Sequence, residues 1–323
     1  MEDLNYPRPD PEKLLVTGVD GIVGANLALS LADRFEVVGL FESRPVSLPG
    51  SITVCWGPPD PFEWATLIRR EKPRWIIHCG PSGCGSWDVP EPCPDGEEEA
   101  RTCALLAGVA RETGSRLTVI SSDAIFAGPR LFHDERAPAG SRQPFARAVR
   151  LAEEALEGTD ALVVRTHAYG WSPADTPPGF AERVWQSLIE GRRAPLDPDR
   201  HATPILATDL AELLWLAYRR GLRGRCHIAG AERTTAYRFA IELAAAFGLS
   251  GPEGPTDADP ASRVEPDHLH ETSLATRRAR RELGRPMPML REGLDRFAEQ
   301  VANGYRARLQ CGVPRVAVTA DAA

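Results

Sequence analysis

Lysine is almost absent from this chain. Lys13 and Lys72 are the only two among 38 basic residues, and the rest are Arg. The residues four positions before them are Pro9 and Ile68, so no Tyr-x-x-x-Lys pair exists anywhere. Codon bias in a GC-rich genome accounts for Arg in place of Lys, but it does not account for a missing Tyr. A basic surplus is absent too: the net charge of -7 excludes sequence-independent binding to DNA or RNA, which needs a basic footprint. No apolar run approaches the roughly 18 residues of a membrane span. The acidic, Pro-rich start from Met1 to Pro7 has none of the basic-then-apolar pattern of a signal peptide. A cytoplasmic protein with no membrane partner is the expectation. The cysteines (Cys55, Cys79, Cys84, Cys93, Cys103, Cys226 and Cys311) are odd in number and form no Cys-x-x-Cys, which predicts free thiols. The spacing of Cys79, Cys84 and Cys93 fits no usual zinc pattern, and no metal is expected. Ser122 lies outside any Gly-x-Ser-x-Gly elbow, which removes the basis for Ser-His-Asp chemistry.

What is present is an ordinary globular composition, 42% hydrophobic and 26% charged, over 323 residues. That length suits one large α/β unit or two closely joined domains. Residues 1–12 read as a flexible arm and 311–323 as a flexible tail. Apolar strands are expected at 13–17, 36–41, 74–79, 116–121 and 161–165. Helices are expected after the first strand and over about 97–113, so strands and helices alternate as in a parallel, doubly wound (Rossmann) sheet. This places a nucleotide-binding domain at 13–166, to which the chain returns near 203–230, and a smaller substrate-binding part at 167–310. Within the latter, helices are expected at 179–191, 207–219, 235–247 and 290–309, with a Pro-rich loop at 171–178 and another at 250–266.

The chemistry-bearing motif is Thr17-Gly18-Val19-Asp20-Gly21-Ile22-Val23-Gly24, which follows a strand and opens a helix. Gly18 permits the tight turn, Gly21 lets the backbone approach a pyrophosphate, and Gly24 lets helix and sheet pack closely. The phosphates would then meet the helix N-terminus, where free N–H groups and the dipole favour an anion. The second strand ends Phe41-Glu42-Ser43-Arg44. Phe41 falls at the position where an NAD-selective site carries an acid. Ser43 and Arg44 suit a 2′-phosphate, so NADP(H) is favoured over NAD(H), with Glu42 as the opposing feature.

Three further segments occur in order after the loop: Ser121-Ser122-Asp123-Ala124-Ile125-Phe126, Arg165-Thr166-His167-Ala168-Tyr169-Gly170, and Thr203-Pro204-Ile205 with Asp209-Leu210-Ala211. Gly224–Gly230, Ser273–Thr276 and Arg281–Gly284 follow. With these the chain resembles an extended short-chain dehydrogenase/reductase of the dTDP-4-dehydrorhamnose reductase-like, sugar-nucleotide-binding branch, from about residue 13 to 300. The resemblance implies that Cys79 and Gly80 line the cofactor groove and that the Ser122 hydroxyl polarises a substrate carbonyl. It also implies a substrate cleft of Ser122, Asp123, His167, Tyr169, Trp171, Arg200 and His201. Aligned on Glu153, the family's proton-transferring Tyr falls on Phe145 and its Lys on Val149; shifted by one residue, they fall on Ala146 and Arg150. Neither frame contains a phenol.

The reading is therefore a protein that binds NADP(H) or NAD(H) but lacks the Tyr/Lys relay: a cofactor-binding or regulatory protein with little redox activity. The regulatory subunit of methionine adenosyltransferase, in this same branch, illustrates that outcome. Two enzymatic alternatives stand beside it. One is an active NAD(P)-dependent reductase of a sugar nucleotide or similar carbonyl substrate, using Ser122 with a substitute acid such as His167. The other is a biosynthetic enzyme of non-redox type. His133 and Asp134 are nearer in sequence to the lost Tyr, but His133 reads as a surface loop residue. The stretch Asp267-His268-Leu269-His270-Glu271 reads as solvated rather than metal-binding. A small-molecule substrate is expected, and a protein partner or homo-oligomer is left open.

Overall fold

Seven parallel strands form the central sheet of the computed structural model, which describes residues 12–49, 52–56, 61–193, 196–252 and 271–310. The expected arm and tail, most of the 250–266 loop, and Asp267 to His270 lie outside the described residues. In chain order the strands are β1 (Lys13–Thr17), β2 (Glu36–Phe41), β3 (Ile52–Trp56), β4 (Trp75–His78), β5 (Arg116–Ser122) and β6 (Leu162–Thr166), with β10 (Gly224–His227) returning to the same sheet. Their spatial order is β10-β6-β5-β4-β1-β2-β3. The order reverses between β1 and β4, and ligands bind in the crevice beyond the strand ends at such a switch point. Thr17 pairs with Leu40 on one side and His78 on the other, so these residues share the rim of that crevice. The central strands β1, β2 and β4 carry apolar runs because helices cover both faces.

The covering helices are α1 (Ile22–Leu31), α2 (Pro61–Glu71), α3 (Gly96–Thr113), α4 (Pro144–Glu154) and α6 (Ala207–Arg220). Of the remaining helices, α8 (Arg277–Leu283) packs on α6 and β10 of the sheet, while α5 (Phe180–Ile189), α7 (Ala236–Ala246), α9 (Leu290–Ala302) and α10 (Tyr305–Gln310) form the smaller C-terminal part. Two-residue strands β7 (Ala168–Tyr169), β8 (His201–Ala202), β9 (Ile205–Leu206) and β11 (Thr234–Thr235) stitch that part together. The sequence pattern missed β3, an edge strand supported only by β2, and also α2 and α8. The single helix expected over 290–309 is two. It breaks where Gly304 takes φ +80° and the Asn303 side chain accepts the Tyr305 N–H.

Below the C-terminal end of the sheet lies a buried ion pair. Arg165 Nη2 is 2.6 Å from Glu153 Oε2, and both side chains are 5% exposed. Ser121 Oγ donates to the same carboxylate at 2.6 Å, and the guanidinium lies over the Phe126 ring. Burial, together with the Arg165 charge, pushes the neighbouring His227 down to about 3, so it stays neutral. Glu153→Ala is expected to destabilise the fold by about 3–5 kcal/mol, because it strands a desolvated guanidinium. Urea unfolding of the two proteins measures this, and a loss below about 1 kcal/mol would show that Arg165 finds water or another acid at little cost.

Candidate nucleotide and substrate site

The loop between β1 and α1 has the geometry its glycines predict. Gly18 sits at φ +65°, and a Cβ there would fall 2.0 Å from the Cys79 carbonyl oxygen, so only glycine lets β1 and β4 close up. A Cβ on Gly24 would fall 2.2 Å from the Gly18 carbonyl oxygen. At Gly21 a Cβ would meet only the Gly18 carbonyl oxygen, at 3.3 Å, a close contact but a far looser one than at Gly18 or Gly24. Gly21 is the N-cap of α1, and the first helical bond runs from the Ala25 N–H to the Gly21 carbonyl. The N–H groups of Ile22, Val23 and Gly24 therefore point out of the helix end, and no acidic side chain stands in that first turn. An anion is the complement of this arrangement.

The rim beside the loop is acidic. Asp20 turns its carboxylate to the end of β2 and accepts the N–H groups of Glu42 (3.4 Å), Ser43 (2.9 Å) and Arg44 (3.2 Å). Burial above all pushes the Glu42 carboxyl up to about 6, with Glu99, Asp20 and Glu98 adding to the effect and His78 opposing it. Phe41 is buried in the core, and the exposed Arg44 guanidinium donates to the Asp175 carbonyl at 3.4 Å. The Pro-rich loop crosses here as well: Thr176 Oγ1 donates to the Asp20 carbonyl at 2.8 Å, and Gly179 packs on the Ile22 side chain.

A cavity of about 550 Å³ opens beyond the ends of β5 and β6, within the usual size range of a small-molecule site. Ser86, Trp87, Phe126, Phe145, Arg200 and Thr272 form much of its wall. Directly behind Ser86 and Thr272 lies Asp123, fully buried. Its carboxylate accepts four hydrogen bonds: Ser86 N–H (2.8 Å), Ser86 Oγ (2.8 Å), Thr272 Oγ1 (2.5 Å) and His167 Nδ1 (2.9 Å). Burial alone would raise its pKa, but His167, Thr272 and Ser86 outweigh it and hold Asp123 below its ordinary value. An ionised carboxylate only accepts, so the His167 proton sits on Nδ1. Nε2 has no hydrogen-bond partner among the described residues. Trp87 closes over the imidazole edge-on at 4.5 Å, and Gly85 is bare because a Cβ would lie 2.9 Å from Nδ1.

The structure thus brings Asp123 and His167 together behind the wall of a cavity that Arg200 and His201 line, and separates others from it. Ser122 is fully buried, donating from Oγ to the Cys84 carbonyl (2.5 Å) and accepting the Ala124 N–H (3.0 Å). The hydroxyl-bearing residues on the cavity wall are Ser86, Ser141 and Thr272 instead, and of these Ser86 and Thr272 reach Asp123. Phe145, in the first turn of α4, reaches the wall, whereas Val149 lies one turn deeper, in an apolar cluster with Ile125, Phe126 and Leu274. Tyr169 and Trp171 pack into the aromatic core, Trp171 stacked on Phe297 and Tyr169 edge-on to Phe239. They point away because β7 turns them under α7 and α9. His133, expected on the surface, is buried and stacked on Phe126 at 4.4 Å. The bridge between His133 and Leu274 pulls its loop inward; Asp134 beside it is half-buried and paired with Arg130. Ser86 and Thr272 carry no sequence signal: both sit in irregular segments with no periodicity or motif to single them out.

A parallel sheet of this order, with a glycine loop, an anion-accepting helix end and a cavity beside it, defines a dinucleotide-binding (Rossmann) fold. Residues 12–303 match the model of the RmlD substrate binding domain. The chain therefore belongs to that family, the NAD(P)-binding, sugar-nucleotide branch of the extended short-chain dehydrogenases/reductases. Solved structures similar in fold include a hypothetical dTDP-4-dehydrorhamnose reductase from Sulfolobus tokodaii (TM-score 0.69, 22% identity, covering 84% of this chain and 94% of that one). The dTDP-4-dehydrorhamnose reductase of Bacillus anthracis in complex with NADP follows (TM-score 0.71, 17% identity, 90% and 99% covered). The Thermus thermophilus UDP-glucose 4-epimerase complexed with NAD is similar to the same degree (TM-score 0.72, 20% identity, 90% and 99% covered). No curated protein sequence matches the chain. Among the described residues, no helix is long and apolar enough to cross a membrane.

Proposed function

We propose that this protein is an NAD(P)(H)-dependent oxidoreductase of a sugar-nucleotide-class carbonyl or hydroxyl substrate, with its proton chemistry moved from the Tyr position to Asp123 and His167. The observation that carries this reading is the buried Asp123–His167 pair, hydrogen-bonded to the hydroxyls of Ser86 and Thr272 in the cavity wall. Membership of the family supports the substrate class. The glycine loop holds the cofactor pyrophosphate at the start of α1, and the cofactor, when bound, supplies hydride transfer. Asp123 holds the His167 Nδ1–H, which leaves Nε2 as the atom that exchanges the proton, while the Ser86 and Thr272 hydroxyls, both donating to Asp123, anchor that carboxylate behind the cavity wall. The test is NAD(P)H consumption with dTDP- or UDP-linked keto sugars, or NAD(P)+ reduction with the corresponding sugars. Tight cofactor binding with no turnover on any of these would favour the second reading, a cofactor-binding or regulatory protein. That reading rests on Phe145 and Val149, which offer neither a phenol nor an ammonium at the cavity.

For the cofactor, the acidic rim favours NAD(H), against the preference for NADP(H) expected from Ser43 and Arg44. Asp20 already holds the three N–H groups after β2, and a 2′-phosphate would meet the Asp20 and Glu42 carboxyls there. Arg44→Ala should therefore change NADH and NADPH affinity alike in calorimetric titration. A selective loss of NADPH binding by about tenfold, 1.4 kcal/mol, would return the 2′-phosphate to Arg44.

A further inference from the structure

β4 ends in His78, and α3 carries Glu99 and Cys103 one helical turn apart on the face that covers it. The potential ligand atoms of these three residues lie within 4.8 Å of one another, and all three side chains are buried. His78 Nε2 is wholly buried and faces Glu99 Oε1 at 3.3 Å as an ion-pair contact, without the geometry of a directed hydrogen bond. A polar nitrogen left in that state costs about 1–3 kcal/mol unless something else satisfies it.

We infer that His78, Glu99 and Cys103 form a divalent metal site of zinc type beneath the dinucleotide loop. The donor set suits a borderline-soft ion, one imidazole, one carboxylate and one thiolate. The charges also balance: a dication with a carboxylate and a thiolate is neutral, as a buried site requires. Groups that orient the ligands are in place. Thr17 Oγ1 lies 2.7 Å from His78 Nδ1, and Ser82 Oγ donates to Glu99 Oε1 at 2.8 Å. Gly80 is bare where the ligands converge, since a Cβ would fall 2.0 Å from Glu99 Oε1 and 2.7 Å from His78 Nε2. The ion would tie α3 and β4 to Thr17, the residue before Gly18, and so stiffen the floor of the nucleotide loop. The His78…Glu99-x-x-x-Cys103 spacing matches no familiar zinc motif, because one ligand comes from a strand end and two from a helix. The competing arrangement is a metal-free imidazolium–carboxylate pair.

The experiment is metal analysis of the full chain purified without chelator, followed by Co(II) titration after stripping. The expected result is about one zinc per chain and a near-ultraviolet thiolate-to-cobalt charge-transfer band. Cys103→Ser should abolish the band, and Glu99→Gln, close in volume, should weaken zinc binding by about tenfold or more, with circular dichroism reporting that both variants fold. No metal after incubation with zinc and dialysis, and no band in the wild type, would overturn the site. A band that survives Cys103→Ser would also overturn it, by placing the metal elsewhere. Neither outcome depends on catalytic turnover.

Discussion

His167→Ala is expected to lower turnover of a keto-sugar nucleotide by about 10²–10⁴-fold, the usual contribution of a positioned proton donor or acceptor. The ring's Nδ1 is committed to Asp123, so the atom left to exchange a proton with substrate is Nε2. His167→Asn separates the two roles, because its amide N–H can still donate to Asp123 but cannot exchange a proton near neutral pH. Both variants should lose turnover to that extent. Asp123→Asn should follow them, since it removes the acceptor that fixes the tautomer. If His167→Asn turns over like the wild type, the imidazole only positions Asp123, and the proton comes from elsewhere. Melting curves guard against misreading, because Ser86, Thr272 and His167 all converge on one buried carboxylate and its loss can loosen the wall.

Two glycines of one loop should fail in opposite ways. In Gly24→Ala the new Cβ would be driven to 2.2 Å from the Gly18 carbonyl oxygen and 2.7 Å from its carbon, both backbone atoms that cannot swing aside. A stability loss of about 1–3 kcal/mol or more is expected, measured by urea unfolding without cofactor. In Gly21→Ala the nearest atom is 3.3 Å away, so stability should change by less than about 1 kcal/mol. Affinity for NADH and NADPH should nonetheless fall by about a hundredfold, because the methyl occupies the approach of the pyrophosphate to the N–H groups of α1. Intact binding in Gly21→Ala, or a Gly24→Ala protein as stable as the wild type, would remove the loop from the cofactor site or from the strand–helix contact respectively.

These contrasts also mark how far the chain could be read without coordinates. The loop from Thr17 to Gly24 was legible because backbone contact at a strand–helix junction demands glycine at fixed spacing, and buried parallel strands such as Leu14–Val16 demand unbroken apolar runs. The edge strand β3 was not legible, because with one neighbour its pattern is short and mixed. The burial of His133 is illegible for a related reason: it comes from a bridge to Leu274, 141 positions away, which local polarity does not encode. Tyr169 and Trp171 were assigned to the cleft, yet the direction of a side chain after β6 depends on how α7 and α9 dock.

The sequence by itself determined the nucleotide-type fold, its family and the absence of a Tyr-x-x-x-Lys pair, since each is carried by residues close together in the chain. Only the tertiary structure decided which polar groups meet. Ser86, Asp123, His167 and Thr272 come from four separate segments, and His78 joins Glu99 and Cys103 only because α3 packs across β4. A buried carboxylate or imidazole is held by partners that burial compels it to find, and those partners are chosen by packing rather than by spacing along the chain.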